Sequence, residues 1–162
     1  MNELEEVLMG ESAHAAPDHI LEGLGEDMVH REVVGAPHTI YQELWHICFW
    51  LQRTLDWIAG VELPYPVRPE DAFPAKRETE SWEQLRRRFF HGIGEAAAIA
   101  RDGARLELPV RCPSRPGEPL RTMTAREQLE SLAAHDAYHF GRIVLLRQLA
   151  GMWPPKSGGF TW

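Results

Sequence analysis

Residues 39–60 read TIYQELWHICFWLQRTLDWIAG, and their periodicity decides the fold class. Ile40, Leu44, Ile47, Leu51, Leu55 and Ile58 recur at steps of three and four, which gathers apolar side chains on one face of an α-helix. Thr39 followed by Gln42 opens the segment as a capping box, and Gly60 closes it. Glu43, His46, Trp50 and Trp57 form a second face, polar at one point and aromatic elsewhere, suited to lining a cavity between helices.

Proline placement extends this reading outward, because a proline inside a helix removes a hydrogen bond and costs about 3 kcal/mol. The chain has 12 prolines, and none falls in Thr39–Ala59, Ser81–Asp102 or Thr124–Ala150. Each of those segments ends at a glycine, Gly60, Gly103 or Gly151, so three helices are expected. Ser81 with Gln84 and Thr124 with Glu127 repeat the capping box. Trp82, Leu85, Phe89, Ile93, Ala96, Ala97 and Ala100 make the second stripe, with Gly92 and Gly94 as loosening points. Asn2–Met9 and Pro17–Leu24 read as helical pieces that together supply a fourth helix. Two connections, Gly60–Glu80 and Gly103–Met123, carry four prolines each and are long enough to return along a bundle. The expected architecture is all-α, a four-helix bundle with two long proline-rich crossover loops, formed by residues 1–162 as a single domain.

Composition excludes several partners. Of 162 residues, 44% are hydrophobic, and 24 acidic against 17 basic side chains give a net charge of −7. A surface of that sign does not neutralise phosphates, so no nucleic-acid partner is expected. Every apolar run is interrupted before the roughly 20 residues that a membrane span needs. The acidic start, Met1 to Glu6, lacks the positive region of a secretory signal, and Cys48 and Cys112 stand isolated, outside any metal-binding spacing. A reducing cytoplasm is the expected location.

Chemistry concentrates in Leu132–Ile143, LAAHDAYHFGRI. His135 and His139 lie four apart on one helical face, where two imidazoles can reach a single ion. Leu132 and Leu146 share their stripe, with Gln128 and Arg142 at its edge, so the pair points into the bundle. Taken alone, the motif also suits two hydrogen-bonded core histidines, and His46 on its own reads first as the edge of an ordinary helix. His46 is nevertheless the best third ligand, and His14 the candidate for a fourth.

These segments together resemble the DinB/YfiT-like superfamily of metal-binding four-helix bundles. Pro37–Ile47 is similar to the family's second helix, whose Trp-His-hydrophobic element carries the first ligand, here His46. His135–Ile143 is similar to its H-x-x-Y-H-x-G-Q-I element, with the other ligands at His135 and His139 and with Arg142 where glutamine is frequent. The closing Gly151–Trp162 also resembles the tails of one branch. The resemblance implies a three-histidine site for a divalent ion, zinc or nickel, and a bacillithiol S-transferase-like activity on a small-molecule thiol and an electrophile. A metal-dependent hydrolase and a non-catalytic, stress-related metal-binding bundle stand as alternatives. Glu43, Tyr138 and Arg142 are candidates for orienting a ligand, moving a proton or touching substrate, and a homodimer is a further expectation.

The remaining features read as ordinary. Arg86-Arg87-Arg88 is a solvated helix face, and His91-Gly92-Ile93-Gly94 is too short for a phosphate loop. His19, His30, His38 and His91 belong to loops or surface, and Cys48 is a small core residue whose nearness to His46 leaves its reactivity open. The tail aromatics Trp153, Phe160 and Trp162 are expected to fold over the bundle or enter a dimer.

Overall fold

A computed structural model of the protein describes residues 2–10, 12–75, 80–115 and 117–158. The first helix, α1 (Glu3–Met9), is capped by the Asn2 side chain and stopped by Gly10. Gly10 has a φ of 74°, and a Cβ there would stand 2.6 Å from the Pro17 ring, so both backbone and space demand glycine. Two one-turn helices follow, α2 (Pro17–Ile20) and α3 (Glu26–Val29). The expected piece Pro17–Leu24 therefore ends early: Leu21–Gly23 is a turn, with Gly23 left-handed.

The three long helices start where the capping boxes place them. Thr39, Ser81 and Thr124 each accept a hydrogen bond from the N–H three residues on, and the Gln42, Gln84 and Glu127 side chains return it. These helices are α4 (Ile40–Ile58), α5 (Trp82–Arg101) and, after intervening elements, α7 (Ala125–Leu149). Between α4 and α5 lies one turn of 3₁₀ helix, Pro69–Ala72. Between α5 and α7 come α6 (Gly103–Leu106) and two strands, β1 (Pro109–Cys112) and β2 (Arg121–Thr124).

The strands are antiparallel, with Val110 opposite Met123, and add one small two-stranded sheet to a chain that is otherwise mostly helical, so the all-α expectation broadly fits. Val110 and Cys112 point inward while Pro109 and Arg111 face solvent. That period-two pattern spans only four residues between Pro109 and Pro113. The inward pair covers Trp57 of α4 and Ala125 of α7, forming a small apolar cluster of its own.

The main core is a continuous cluster. Leu44, Ile47 and Leu51 of α4 meet Leu85, Phe89 and Ile93 of α5, with Leu129, Phe140 and Ile143 of α7. Helix α4 packs on both α5 and α7, and α1 lies against the latter two through Leu4 and Leu8. The chain after α7 folds back: Met152 and Trp153 pack on the core, and the buried Arg147 guanidinium donates to the carbonyls of Ile20, Glu22 and Met152. Phe160 and Trp162 lie outside the described residues. No helix among the described residues is long and apolar enough to cross a membrane.

Helix α5 runs unbroken through Gly92 and Gly94, for different reasons. A Cβ on Gly92 would stand 2.9 Å from Leu51 Cδ2, so this glycine lets α4 and α5 approach closely. A Cβ on Gly94 would meet nothing within 4 Å. Gly94→Ala is expected to stabilise the fold by about 0.5–1 kcal/mol through helix propensity. Gly92→Ala is expected to destabilise it by about 1 kcal/mol, as overpacking against buried Leu51 exceeds the same gain. Urea unfolding of the two variants checks this, and equal stabilisation by both would contradict the packing argument.

Candidate metal centre

The i, i+4 spacing on α7 stacks His135 and His139 on the face turned toward α4, and the packing of α4 on α7 brings His46 to them across 89 residues of chain. One ring nitrogen from each of the three lies within 4.8 Å of the others. His46 Nε2 and His135 Nε2 are 3.2 Å apart. His46 and His139 are buried, and His135 is half-buried, at the edge of the site.

The outer nitrogens are engaged by acceptors. His46 Nδ1–H donates to the Ala72 carbonyl at 2.8 Å, His139 Nδ1–H to Glu43 Oε2 at 2.6 Å, and His135 Nδ1–H to Asp136 Oδ1 at 3.1 Å. These tautomers follow from the partners, which are a carbonyl and two carboxylates. With the hydrogens committed outward, each Nε2 carries a lone pair into the shared space. Three lone pairs facing one another repel unless a cation lies among them, and an outward N–H bond is the usual way a metal-binding imidazole is oriented. The donor set therefore fits a divalent ion. Burial pushes the His46 imidazole down to about 4; the Ala72 carbonyl opposes this, and the positive forms of His139 and His135 reinforce it. The His46 ring is thus neutral, as a ligand must be, at ordinary pH.

Glu43 is completely buried, and its position is set from two sides. Burial pushes its carboxyl up, but the hydrogen bond from His139 and the charge of Arg142 outweigh that and hold it below its usual value. Arg142 Nε donates to Oε1 at 2.8 Å and Nη1 donates to the Tyr138 hydroxyl. Both Glu43 oxygens are therefore occupied, an arrangement that fixes the His139 ring from behind. Tyr138 is 61% exposed and sets its ring edge-on to His139. Asp136 is buried, and its Oδ2 has no partner among the described residues; burial pushes this carboxyl up, against the hydrogen bond from His135.

Several sequence expectations land elsewhere. His14 bonds to the Ala15 carbonyl and stacks on Phe140, outside the three-histidine group. Cys48 is enclosed, in keeping with the small core residue expected of it, and burial pushes its thiol up to about 12. His38 is closer to the site than a plain loop residue would be: it stacks on Phe73 at 3.9 Å, and Phe73 stacks on His46 at 4.2 Å. Phe73 and the Ala72 carbonyl went unread in the sequence, since a main-chain acceptor leaves no residue signature. Arg86 and Arg87 pair with Glu83, and Arg88 with Glu80; Arg87 alone is exposed, while Arg86 and Arg88 are half-buried, so the expected solvated face holds for Arg87 only.

A cleft of about 430 Å³ opens beside His135. Trp50, Trp57 and Tyr65 line its apolar side, with Trp50 and Tyr65 ring centres 5.1 Å apart. Its other side is formed by the hairpin and its connection, including Cys112, whose sulfur accepts from Gln128 at 2.8 Å and whose thiol burial pushes up. The constellation is a three-nitrogen site with a small-molecule-sized cleft at its edge. A family model described as the DinB superfamily matches residues 11–143. No curated protein matches the chain.

Proposed function

The chain belongs to the DinB superfamily, and on that footing we propose that it is a metal-dependent transferase of low-molecular-weight thiols, with His46, His135 and His139 holding zinc or nickel. The packing of α4, α5, α7 and the shorter α1 around one core supports reading the fold as that family's four-helix bundle, in one domain. The observation that carries the functional reading is the convergence of three Nε2 lone pairs beside a cleft large enough for a small molecule. Among the described residues, no fourth histidine, cysteine or carboxylate joins the group. Structural zinc sites are usually closed by four protein ligands, so three favour a site with a position left for a reactant.

A divalent ion bound there supplies a Lewis acid that makes a thiol or a water acidic near neutral pH. The protein's own groups do the rest. Ala72 and Glu43 lock two of the three rings, and Arg142 locks Glu43, so little reorganisation is needed when a reactant arrives. Trp50, Trp57 and Tyr65 keep one wall of the cleft apolar and strengthen any charge interaction made inside it. In the transfer, the thiol gives up its proton, its sulfur forms a carbon–sulfur bond to the electrophile, and the leaving group departs with its electron pair.

Assays with bacillithiol, mycothiol and glutathione against electrophilic acceptors, with the protein loaded with zinc or nickel, test this. Turnover that needs the ion and a thiol is expected. Turnover of ester or amide substrates without thiol would move the assignment to a hydrolase, and no turnover with an ion bound would move it to a non-catalytic bundle.

A further inference from the structure

The cleft beside His135 carries charges that the metal chemistry does not use. Arg115 and Arg121 both line it. In a chain with 24 acidic and 17 basic residues, many guanidinium groups pair with a carboxylate. Arg68, Arg88, Arg101, Arg111 and Arg126 do so at 3.0 Å or less. Arg115 and Arg121 have no carboxylate partner among the described residues, and Arg121 rests only on the Met123 sulfur. Glu118 lines the same cleft, yet one carboxylate leaves one guanidinium in excess even if it turns toward either.

We propose that this cleft binds small organic acids, with Arg115 and Arg121 holding a carboxylate while Trp50 and Tyr65 shield the organic body and the other end of the ligand lies toward His135. Planar guanidinium groups suit carboxylate oxygens, and aromatic walls favour an organic body over a free inorganic anion. The proposal deepens the thiol-transfer reading and rests on it for the identity of the reacting end, which would be a thiol.

The probes are succinate, mercaptosuccinate, thioglycerol and inorganic phosphate, titrated into zinc-loaded protein and followed by tryptophan fluorescence and calorimetry. Wild type is expected to bind mercaptosuccinate about tenfold more tightly than thioglycerol, the upper end of what two exposed charge-assisted contacts supply. Wild-type binding of mercaptosuccinate is expected to weaken with salt, and Arg115→Gln/Arg121→Gln to remove both that weakening and the tenfold advantage while leaving thioglycerol unchanged. Glu118→Gln is expected to tighten succinate binding. Equal affinity of wild type and the double variant for succinate and mercaptosuccinate would overturn the proposal, and so would phosphate binding as tightly as succinate. If both acids depend on the arginines but mercaptosuccinate gains nothing over succinate, the carboxylate site stands and the thiol reading falls.

Discussion

When no metal is added, wild type is expected to purify with a roughly stoichiometric divalent ion and protein carrying His139→Ala without one. His139 is the buried member of the pair on α7, and its loss leaves His46 and His135 as a two-nitrogen site. Deleting even a group that merely orients a ligand costs roughly 10–100-fold in metal affinity, so losing a ligand should exceed that range. The change also leaves Glu43 Oε2 buried without its donor, a cost of about 1–3 kcal/mol. Metal analysis alone could then confuse lost binding with lost fold, so thermal unfolding belongs beside it. Wild type should lose stability when treated with a chelator, by about 2.7 kcal/mol if free metal stood at a hundred times its dissociation constant. The folded variant should not respond. A folded variant that keeps its ion, or a wild type that binds neither zinc nor nickel on dialysis, would defeat the metal assignment.

The second large effect is expected at Glu43. Its side chain is fully buried between a histidine on one oxygen and an arginine on the other. Glu43→Ala removes the compensating charge from Arg142 and the acceptor from His139 in a single step. Breaking a buried, hydrogen-bonded pair in this way costs about 3–5 kcal/mol, to be read from urea unfolding in the presence of chelator. Glu43→Gln keeps the shape and one acceptor, and should cost about half as much, while metal affinity falls roughly 10–100-fold in both. The pH dependence has a definite sign. Glu43 sits below its usual pKa in the folded protein, so its contribution is complete above the unfolded carboxylate value and is lost as pH falls through the folded one. The stability gap between wild type and Glu43→Gln should therefore narrow only below about pH 4. A gap that is constant down to pH 2, or absent at pH 7, would show that the carboxylate is not charged and paired as described.

The long helices were readable because their boundaries are chemical. Thr39, Ser81 and Thr124 cap through their own side chains, and the prolines mark where helix cannot continue. The N-terminal segment was less legible, since Pro17 and the left-handed Gly10 and Gly23 divide it more finely than its apolar residues suggest. The hairpin escaped notice because four-residue strands offer too little alternation to register beside long helical periods. At the site, helix geometry alone puts His135 above His139. That His46 faces them depends on α4 lying against α7, which a periodic pattern cannot specify; the family resemblance supplied that link. Arg142 shows the same boundary: the helix places it one turn from Tyr138, but only the packed structure shows that it serves Glu43.

The grip on His46 by a peptide oxygen at Ala72 makes the crossover between α4 and α5 sensitive to its length rather than to its spelling. Any small residue at position 72 presents the same oxygen, so at that position size rather than chemical identity is what matters. An inserted or deleted residue between Arg68 and Phe73 would carry both that oxygen and the Phe73 ring past the imidazole, and would disarm the centre without altering a single one of its nitrogen donors.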